Sequence, residues 1–152
     1  MKYSEFRERQ QDEVNKLPMY WAFSESQWDK LLKELGLTEE NCEDNLTTFA
    51  GAIVRKSDLA MIQETLARLD KEKDEAFRDI EFFKDAAVYE MCNHEYSINM
   101  QGDWDVINSL GFHVRYSDGD ELEECPMSDE QKAAYLEARK EYYRLADENG
   151  WY

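Results

Sequence analysis

The fold is decided by the stretch SDLAMIQETLARLDKEKDEAFRDIEFFKDAAVYEMCNH, residues 57–94, because its apolar residues recur at alternating steps of three and four. That spacing predicts an amphipathic helix, and Ser57 is placed to cap it. Lys73 interrupts the stripe within a charged run. Residues 58–94 are therefore predicted to form one long central helix, or two helices hinged near Asp70–Asp79. The apolar positions are Leu59, Ile62, Leu66, Leu69, Ala76, Ile80, Phe83 and Ala87.

Capping signals on both sides of this stretch predict further helices. Ser4 can cap a helix over residues 5–16. Ser24 and Ser128 each begin a capping box, with Gln three residues later, and so predict helices starting at residues 25 and 129. Gly102 opens a short helix before residue 111. The chain is therefore expected to contain about five helices.

Three short segments predict strands. Residues 19–23 are a bulky apolar run typical of a buried strand, and residues 46–54 are rich in β-branched side chains. Residues 112–116 alternate apolar with polar. The prediction is an α+β fold, in which a short three-stranded sheet packs with these helices in a single domain over residues 1–152.

The charge of the chain restricts its partners. There are 35 acidic residues against 18 basic ones, a net charge of −17, and 13% of the residues are aromatic. Disordered acidic chains are poor in aromatic residues, so the charge is expected on a folded surface. Its negative field opposes direct binding to nucleic acid and to anionic membranes. A basic protein is the predicted partner.

The compartment is predicted to be the cytoplasm. No apolar run approaches the roughly 20 residues that span a bilayer, and residues 1–8 lack the apolar core of a signal peptide. The three cysteines, Cys42, Cys92 and Cys125, are far apart and form no Cys-x-x-Cys pair. Reduced thiols in a reducing compartment are therefore expected.

No catalytic or metal-binding motif stands out, so we predict no catalytic residue, no cofactor, no metal and no enzymatic activity. The best enzymatic candidate is His94 beside Glu95, but neighbouring residues on a helix point about 100° apart. The alternative is a small enzyme or ligand-binding domain centred on His94, Glu95 and Tyr96. That alternative requires these side chains to converge in a pocket with His113.

The acidic residues fall in clusters, and a rigid acidic face can imitate the phosphates of a nucleic acid. The predicted function is to bind and inhibit a basic, nucleic-acid-handling protein, as a DNA mimic of the anti-restriction or anti-CRISPR kind. A well-solvated surface with no partner is the plain alternative, and self-association of a structural accessory protein through residues 19–23 is another. The predicted partner-binding residues are Asp70, Glu72, Asp74, Glu75, Asp79, Glu81, Asp118, Asp120, Glu121, Glu123 and Glu124.

Four segments within residues 1–111 resemble a family of unknown function found among small proteins of phages and mobile elements of gut bacteria. The resemblance brings no activity, so no residue role carries over from it. It implies a setting, that of a phage-type accessory protein, and this favours the inhibitor over the alternatives. The four segments are Met1-Lys2-Tyr3-Ser4-Glu5-Phe6, Ala22-Phe23-Ser24 with Gln27-Trp28, Arg55-Lys56-Ser57-Asp58, and Tyr89-Glu90-Met91 leading into Asn93-His94-Glu95-Tyr96.

Overall fold

The computed structural model describes residues 1–99, 101–115 and 121–151. Within these ranges the fold is α+β, as predicted, with eight α-helices, one 3-10 helix and a three-stranded antiparallel sheet. The elements are α1 (Tyr3–Asn15), β1 (Met19–Tyr20), α2 (Glu25–Leu35), α3 (Cys42–Asn45), β2 (Leu46–Phe49), β3 (Ala52–Arg55), the 3-10 helix Lys56–Asp58, α4 (Leu59–Ala76), α5 (Ile80–Asn93), α6 (Gly102–Ser109), α7 (Glu121–Glu124) and α8 (Asp129–Asn149).

The chain divides into two compact units. Unit 1 comprises residues 1–9 and 70–152, and unit 2 comprises residues 10–69. Helices α1 and α4 each contribute residues to both units. The single domain over residues 1–152 stays a prediction.

Unit 2 contains the sheet, whose strand order is β1-β3-β2. Strands β2 and β3 form a hairpin, with Leu46 opposite Arg55 and Phe49 opposite Ala52. The prediction of one strand over residues 46–54 is therefore wrong, since a turn at Ala50 and Gly51 divides it. Both turn residues have positive φ, 51° and 81°. Hairpin turns of this kind favour Asn-Gly, and Ala-Gly gives a much weaker turn signal.

The predicted strand over residues 19–23 is shorter than expected. Only Met19 and Tyr20 pair with β3, opposite Val54 and Ile53. Trp21 and Phe23 follow the strand and are 53% and 85% exposed, which corrects the expectation of a buried segment. In this segment, therefore, a run of bulky apolar residues does not indicate a buried strand.

Two apolar clusters stabilise unit 2. In one, Ala52 and Val54 of β3 pack on Ile62 of α4. In the other, Leu32 of α2 packs with Cys42 and Leu46. The predicted cap of α2 is confirmed in part: the Gln27 backbone N–H donates to Ser24 Oγ at 3.2 Å, but the Gln27 side chain accepts from the Phe23 backbone N–H at 2.7 Å and so does not complete a capping box with Ser24. Gly36 ends the helix in a left-handed conformation with φ 71°.

Unit 1 is built on α5 and α8, which form its main apolar cluster. Of the two alternatives predicted for residues 58–94, the structure has two helices with a break near Asp79, because α4 ends at Ala76 and α5 begins at Ile80. Phe77 in the link is 2% exposed, and its ring meets that of Phe83 at 5.2 Å between centroids. The capping box at Ser128 is also confirmed, with Gln131 and Ser128 exchanging side-chain and backbone hydrogen bonds.

The predicted strand over residues 112–116 is wrong for residues 112–115, which belong to no strand, while Tyr116 lies outside the described residues. The alternating pattern has another cause. Phe112 and Val114 pack against the apolar cluster of unit 1, and the Val114 carbonyl accepts a hydrogen bond from Trp104 Nε1 at 3.1 Å. Side chains that pack on helices at every second position thus give the same apolar–polar alternation as a strand with one buried face.

Candidate functional site

The link between α4 and α5 positions the central acidic cluster. Asp79 caps α5, since its side chain accepts a hydrogen bond from the Phe82 backbone N–H at 3.2 Å. The amide of Gln131, at the start of α8, donates to the Phe77 carbonyl at 3.2 Å. The first turn of α8 is thereby held against the link.

A groove of about 560 Å³ opens at this link. Its described lining is part aromatic and part charged, and Asp74 and Glu130 come from segments 56 positions apart in the sequence. We call this feature the acidic groove. It is lined by Asp74, Phe77, Arg78, Ile80, Phe112, Pro126, Ser128, Glu130 and Gln131.

The predicted residues of the central cluster are mostly exposed. Glu72 differs, because it is half-buried and forms an ion pair with Arg9 at 3.5 Å. The other five make no ion pair with any residue that the structure describes, so their negative charge is not neutralised by a neighbour in contact. These five are Asp70, Asp74, Glu75, Asp79 and Glu81.

The predicted C-terminal cluster is divided by the structure. Glu123 and Glu124 are exposed on α7, whereas Glu121 is 4% exposed and is therefore left out of the proposed surface. Asp118 and Asp120 lie outside the described residues. Lys132 of α8 donates to the Glu123 carbonyl at 3.0 Å, which places α7 beside the first turns of α8.

The sequence analysis missed Asp129 and Glu130. Both are exposed in the first turn of α8, and Glu130 lines the acidic groove. The sequence did contain a signal for their position, because the capping box at Ser128 places both residues in the first turn of a helix. From the sequence, however, they only indicated a helix terminus.

The net charge is unequal between the two units. Unit 1 has 24 acidic and 12 basic residues, a net charge of −12, while unit 2 has 11 and 6, a net charge of −5. Unit 1, which contains the acidic groove, has 92 residues against 60 in unit 2, so its larger share of the acidic excess follows mostly from its size.

On the outer face of α8, in contrast, acidic and basic side chains balance each other in ion pairs. Lys140 pairs with Glu137 at 3.0 Å, and Arg144 pairs with Glu141 at 2.6 Å and with Glu148 at 2.5 Å. The hydrogen bond from Arg144 and the charge of that guanidinium lower the pKa of Glu141. Such a mosaic has little unbalanced charge with which to attract a basic partner.

His94, Glu95 and Tyr96 do not converge on one point. His94 Nε2 lies 3.4 Å from Glu90 Oε2, and the Tyr96 hydroxyl donates to Asp103 at 2.8 Å. Glu95 is exposed, as is His113. The arrangement offers no shared centre for acid–base chemistry, and so it does not favour the enzymatic alternative.

Asp103 is instead the acceptor of a hydrogen-bonded cluster that the sequence analysis did not detect. Its carboxylate accepts from the Tyr135 hydroxyl at 2.6 Å and from Arg139 Nη2 at 3.1 Å, besides Tyr96. Burial, and then the Asp103 charge, raise the pKa of Tyr135 well above its ordinary value. With three donors bound to its carboxylate, Asp103 joins α6 to α8 and has a structural role.

The described residues contain no group of three or more His, Cys, Asp or Glu side chains arranged to hold a metal ion. The three cysteines are free thiols. None of the helices described is both long enough and apolar enough to cross a membrane.

Comparison with known proteins identifies a family without a described activity. No curated protein and no solved structure gives a significant match. Residues 2–136 do match a family, and they include both units in large part. The chain therefore belongs to the family of unknown function DUF7659.

Proposed function

We propose that this protein binds a basic protein that handles nucleic acid and blocks it by occupying the surface where phosphates bind. It would act as an accessory protein of phage type, of the anti-restriction or anti-CRISPR kind. One observation carries the proposal: exposed carboxylates without ion-pair partners flank a groove with an aromatic lining.

A protein that binds nucleic acid presents a basic groove to the phosphates. Its groove is lined with Lys and Arg, which contact the phosphates of a duplex that carries about one negative charge per 1.7 Å of axis. Carboxylates already paired within their own protein would have to break those pairs before binding such a groove. Asp74, Glu75 and Glu130 have no such pair among the residues described, so no pair has to be broken.

The aromatic residues of the acidic groove complement the same partner. Phe112 is partly exposed, and Phe77 and Ile80 also line the groove. Arginine side chains place their aliphatic stems on apolar surfaces and their guanidinium groups over aromatic rings. Among the described lining residues, Asp74 and Glu130 outnumber the one cation, Arg78. A groove with this acidic excess and with the partly exposed Phe112 in its wall favours arginine-rich surfaces over merely basic ones.

The test is inhibition of purified restriction endonucleases and CRISPR effector nucleases in a DNA-cleavage assay. The groove variant is D74N/E75Q/E130Q, and the matched control is D29N/E64Q/D147N, which removes three other exposed helical carboxylates. Exposed pairs contribute about 0.2–1 kcal/mol each, so the groove variant is expected to lose on the order of tenfold in inhibition. The control should lose little beyond the general effect of net charge.

The dependence of inhibition on salt concentration provides a second test. Between about 50 mM and about 200 mM NaCl, inhibition by the native protein should weaken steeply because ion pairs are screened. Equal losses in the two triple variants, or inhibition that ignores salt, would contradict the proposal. So would the absence of inhibition across the whole panel.

A second candidate function is self-association, and the exposed segment Trp21–Phe23 supports it. Phe23 is 85% exposed and Trp21 is 53% exposed, beside an edge strand of the sheet. Exposed aromatic residues at a sheet edge are common anchors for another chain. Light scattering tests this directly: a dimer in the native protein that becomes a monomer in W21S/F23S would support it, and a native monomer would contradict it.

A further inference from the structure

A second cavity in unit 1, separate from the acidic groove, has a volume of about 300 Å³. The size is at the lower end of cavities that bind small ligands. It lies where the segment after α5 meets α8 and Trp151. Its described lining residues are Cys92, Glu95, Ser97, Ile98, Tyr142 and Trp151.

One part of the cavity wall is apolar and aromatic, formed by Ile98, Tyr142 and Trp151. The ring of Trp151 packs against that of Tyr142 with 6.0 Å between centroids, and it is itself 42% exposed. Ile98 is 59% exposed. Burial raises the pKa of the Cys92 thiol, so near neutral pH the sulfur is an uncharged, polarisable group. A ligand with an apolar body would be in contact on several sides.

The hydroxyl groups of the cavity are already engaged with each other. The Ser97 backbone N–H donates to the Tyr142 hydroxyl at 3.1 Å, and Ser97 Oγ lies 2.9 Å from the same atom. None of the described lining residues is Lys, Arg or His. The cavity therefore has no cation to bind an anionic ligand.

Glu95 is the one charged side chain among the described lining residues, and within the described chain its carboxylate has no hydrogen bond or ion pair. Its backbone is also unusual, with φ at 50°. Only a few per cent of non-glycine residues adopt this left-handed conformation, and Asn is preferred there over Glu. Helix geometry and propensity give no reason for an acidic residue at this position.

We infer that this cavity binds an organic cation with a guanidinium head group, of the kind that an arginine side chain carries. The planar head group can stack on the Trp151 indole while its N–H groups donate to the Glu95 carboxylate. The inference does not rest on the proposed function, because neither Glu95 nor Trp151 lies in the acidic groove.

Isothermal titration calorimetry tests the inference with three probes of the intact chain. N-acetyl-arginine amide presents the side chain as a protein would, and agmatine presents a free guanidinium. N-acetyl-citrulline amide has the same shape as the first probe without its charge. Saturable binding of the arginine probe, with the citrulline probe at least about tenfold weaker, is expected. If agmatine also binds, free cations are ligands; if it does not, the source is an arginine side chain of a protein.

Three variants separate ligand binding from folding. Glu95→Gln and Glu95→Asn should both abolish binding, and the Asn variant should melt at or above the native temperature because Asn suits the positive φ. Trp151→Leu keeps apolar volume but should weaken binding by removing the indole. The control is Glu8→Gln, which removes an exposed carboxylate of α1 and should bind as the native protein does.

Several results would overturn the inference. These are failure of both guanidinium probes to bind, equal binding of the citrulline probe, and undiminished binding by folded Glu95→Gln. Failure of nuclease inhibition alone would remove the proposed function and leave this inference intact.

Discussion

Glu90 shows how much one acidic residue can depend on its surroundings. Its side chain is 1% exposed, and it accepts a hydrogen bond from the Tyr3 hydroxyl at 3.0 Å while Arg7 Nε lies 3.3 Å away. His94, which directly follows α5, adds a third contact, with its Nε2 3.4 Å from Glu90 Oε2. The carboxylate thus joins α1 to α5 inside unit 1.

We expect Glu90→Ala to lower the free energy of unfolding by about 2–3 kcal/mol, because it opens a cavity and leaves the Tyr3 hydroxyl without its acceptor. Glu90→Gln keeps an acceptor and should cost about half as much. Urea denaturation measures both. The control, Glu64→Gln, changes an exposed carboxylate and should stay within about 0.5 kcal/mol of the native protein. If Glu90→Ala, Glu90→Gln and Glu64→Gln had the same urea midpoint, the Glu90 contacts would contribute nothing to stability.

Tyr135 predicts how stability responds to alkaline pH. Burial and the Asp103 carboxylate raise its pKa in the folded protein above the value of about 10 that it has when unfolded. Above that pH the unfolded chain releases the phenolic proton and the folded chain retains it. The contribution of Tyr135 is therefore complete below about pH 10 and is lost as the pH rises further.

The matched measurement compares Tyr135→Phe with the native protein by urea denaturation from neutral to strongly alkaline pH. At neutral pH the variant should be about 1 kcal/mol less stable, because a hydrogen bond to Asp103 is lost. Above pH 10 its stability should fall less steeply, by up to about 1.4 kcal/mol per pH unit. Parallel pH profiles would contradict this assignment.

The β2–β3 hairpin is the element in which local sequence and structure agree least. Ala50 has φ 51°, a conformation that costs an L-residue with a Cβ roughly 1–2 kcal/mol. Ala50→Asn creates the Asn-Gly pair that this turn prefers, and we expect it to raise the free energy of unfolding by about 0.5–1 kcal/mol. Ala50→Val should lower it, since β-branched residues fit positive φ poorly. Thermal melts decide between these directions, and a stabilised Val variant would contradict the turn geometry.

The caps predicted at Ser4 and Ser57 are wrong, since Ser4 lies inside α1 and Ser57 inside the 3-10 helix that precedes α4. Other helix ends could be predicted from the sequence because each depends on a few neighbouring residues. The caps at Ser24 and Ser128 and the break after Ala76 are of this kind. The strands were harder, because Ala50 carries no typical turn signal. Phe112 and Val114 alternate with exposed residues because they pack against the apolar cluster of unit 1, and this alternation was mistaken for a strand.

The binding surface could be predicted only in part. The acidic residues of α4 are evident from the sequence. That Asp74 and Glu130 line the same groove, however, can be seen only in the folded structure. Burial of an acidic residue is also hard to foresee. Glu90 does occupy a position on the apolar face of α5, beside Ala86, Ala87 and Met91, and that spacing was a usable signal. Glu121 had no such pattern around it.

The whole molecule carries a large excess of negative charge, and salt should reveal the repulsion that this excess causes. With −12 of the net charge of −17 in unit 1, mutual repulsion opposes the folded state there. We expect added NaCl to stabilise the native protein against urea by about 1 kcal/mol, since each like-charge contact costs a few tenths of a kcal/mol. D74N/E75Q/E130Q should gain less. A midpoint that falls with salt would show that attractive pairs dominate.

Two of the three thiols are shielded. Cys42 Sγ donates to the Glu39 carbonyl at 3.4 Å and Cys125 Sγ to the Leu122 carbonyl at 3.3 Å, and both residues are buried. Cys92 is partly accessible and lines the smaller cavity. The protein thus carries a natural attachment point for a maleimide dye, which should react slowly near neutral pH and faster in mild alkali. Any compound that occupies the cavity should retard that alkylation, so the native cysteine can serve as a reporter in a screen.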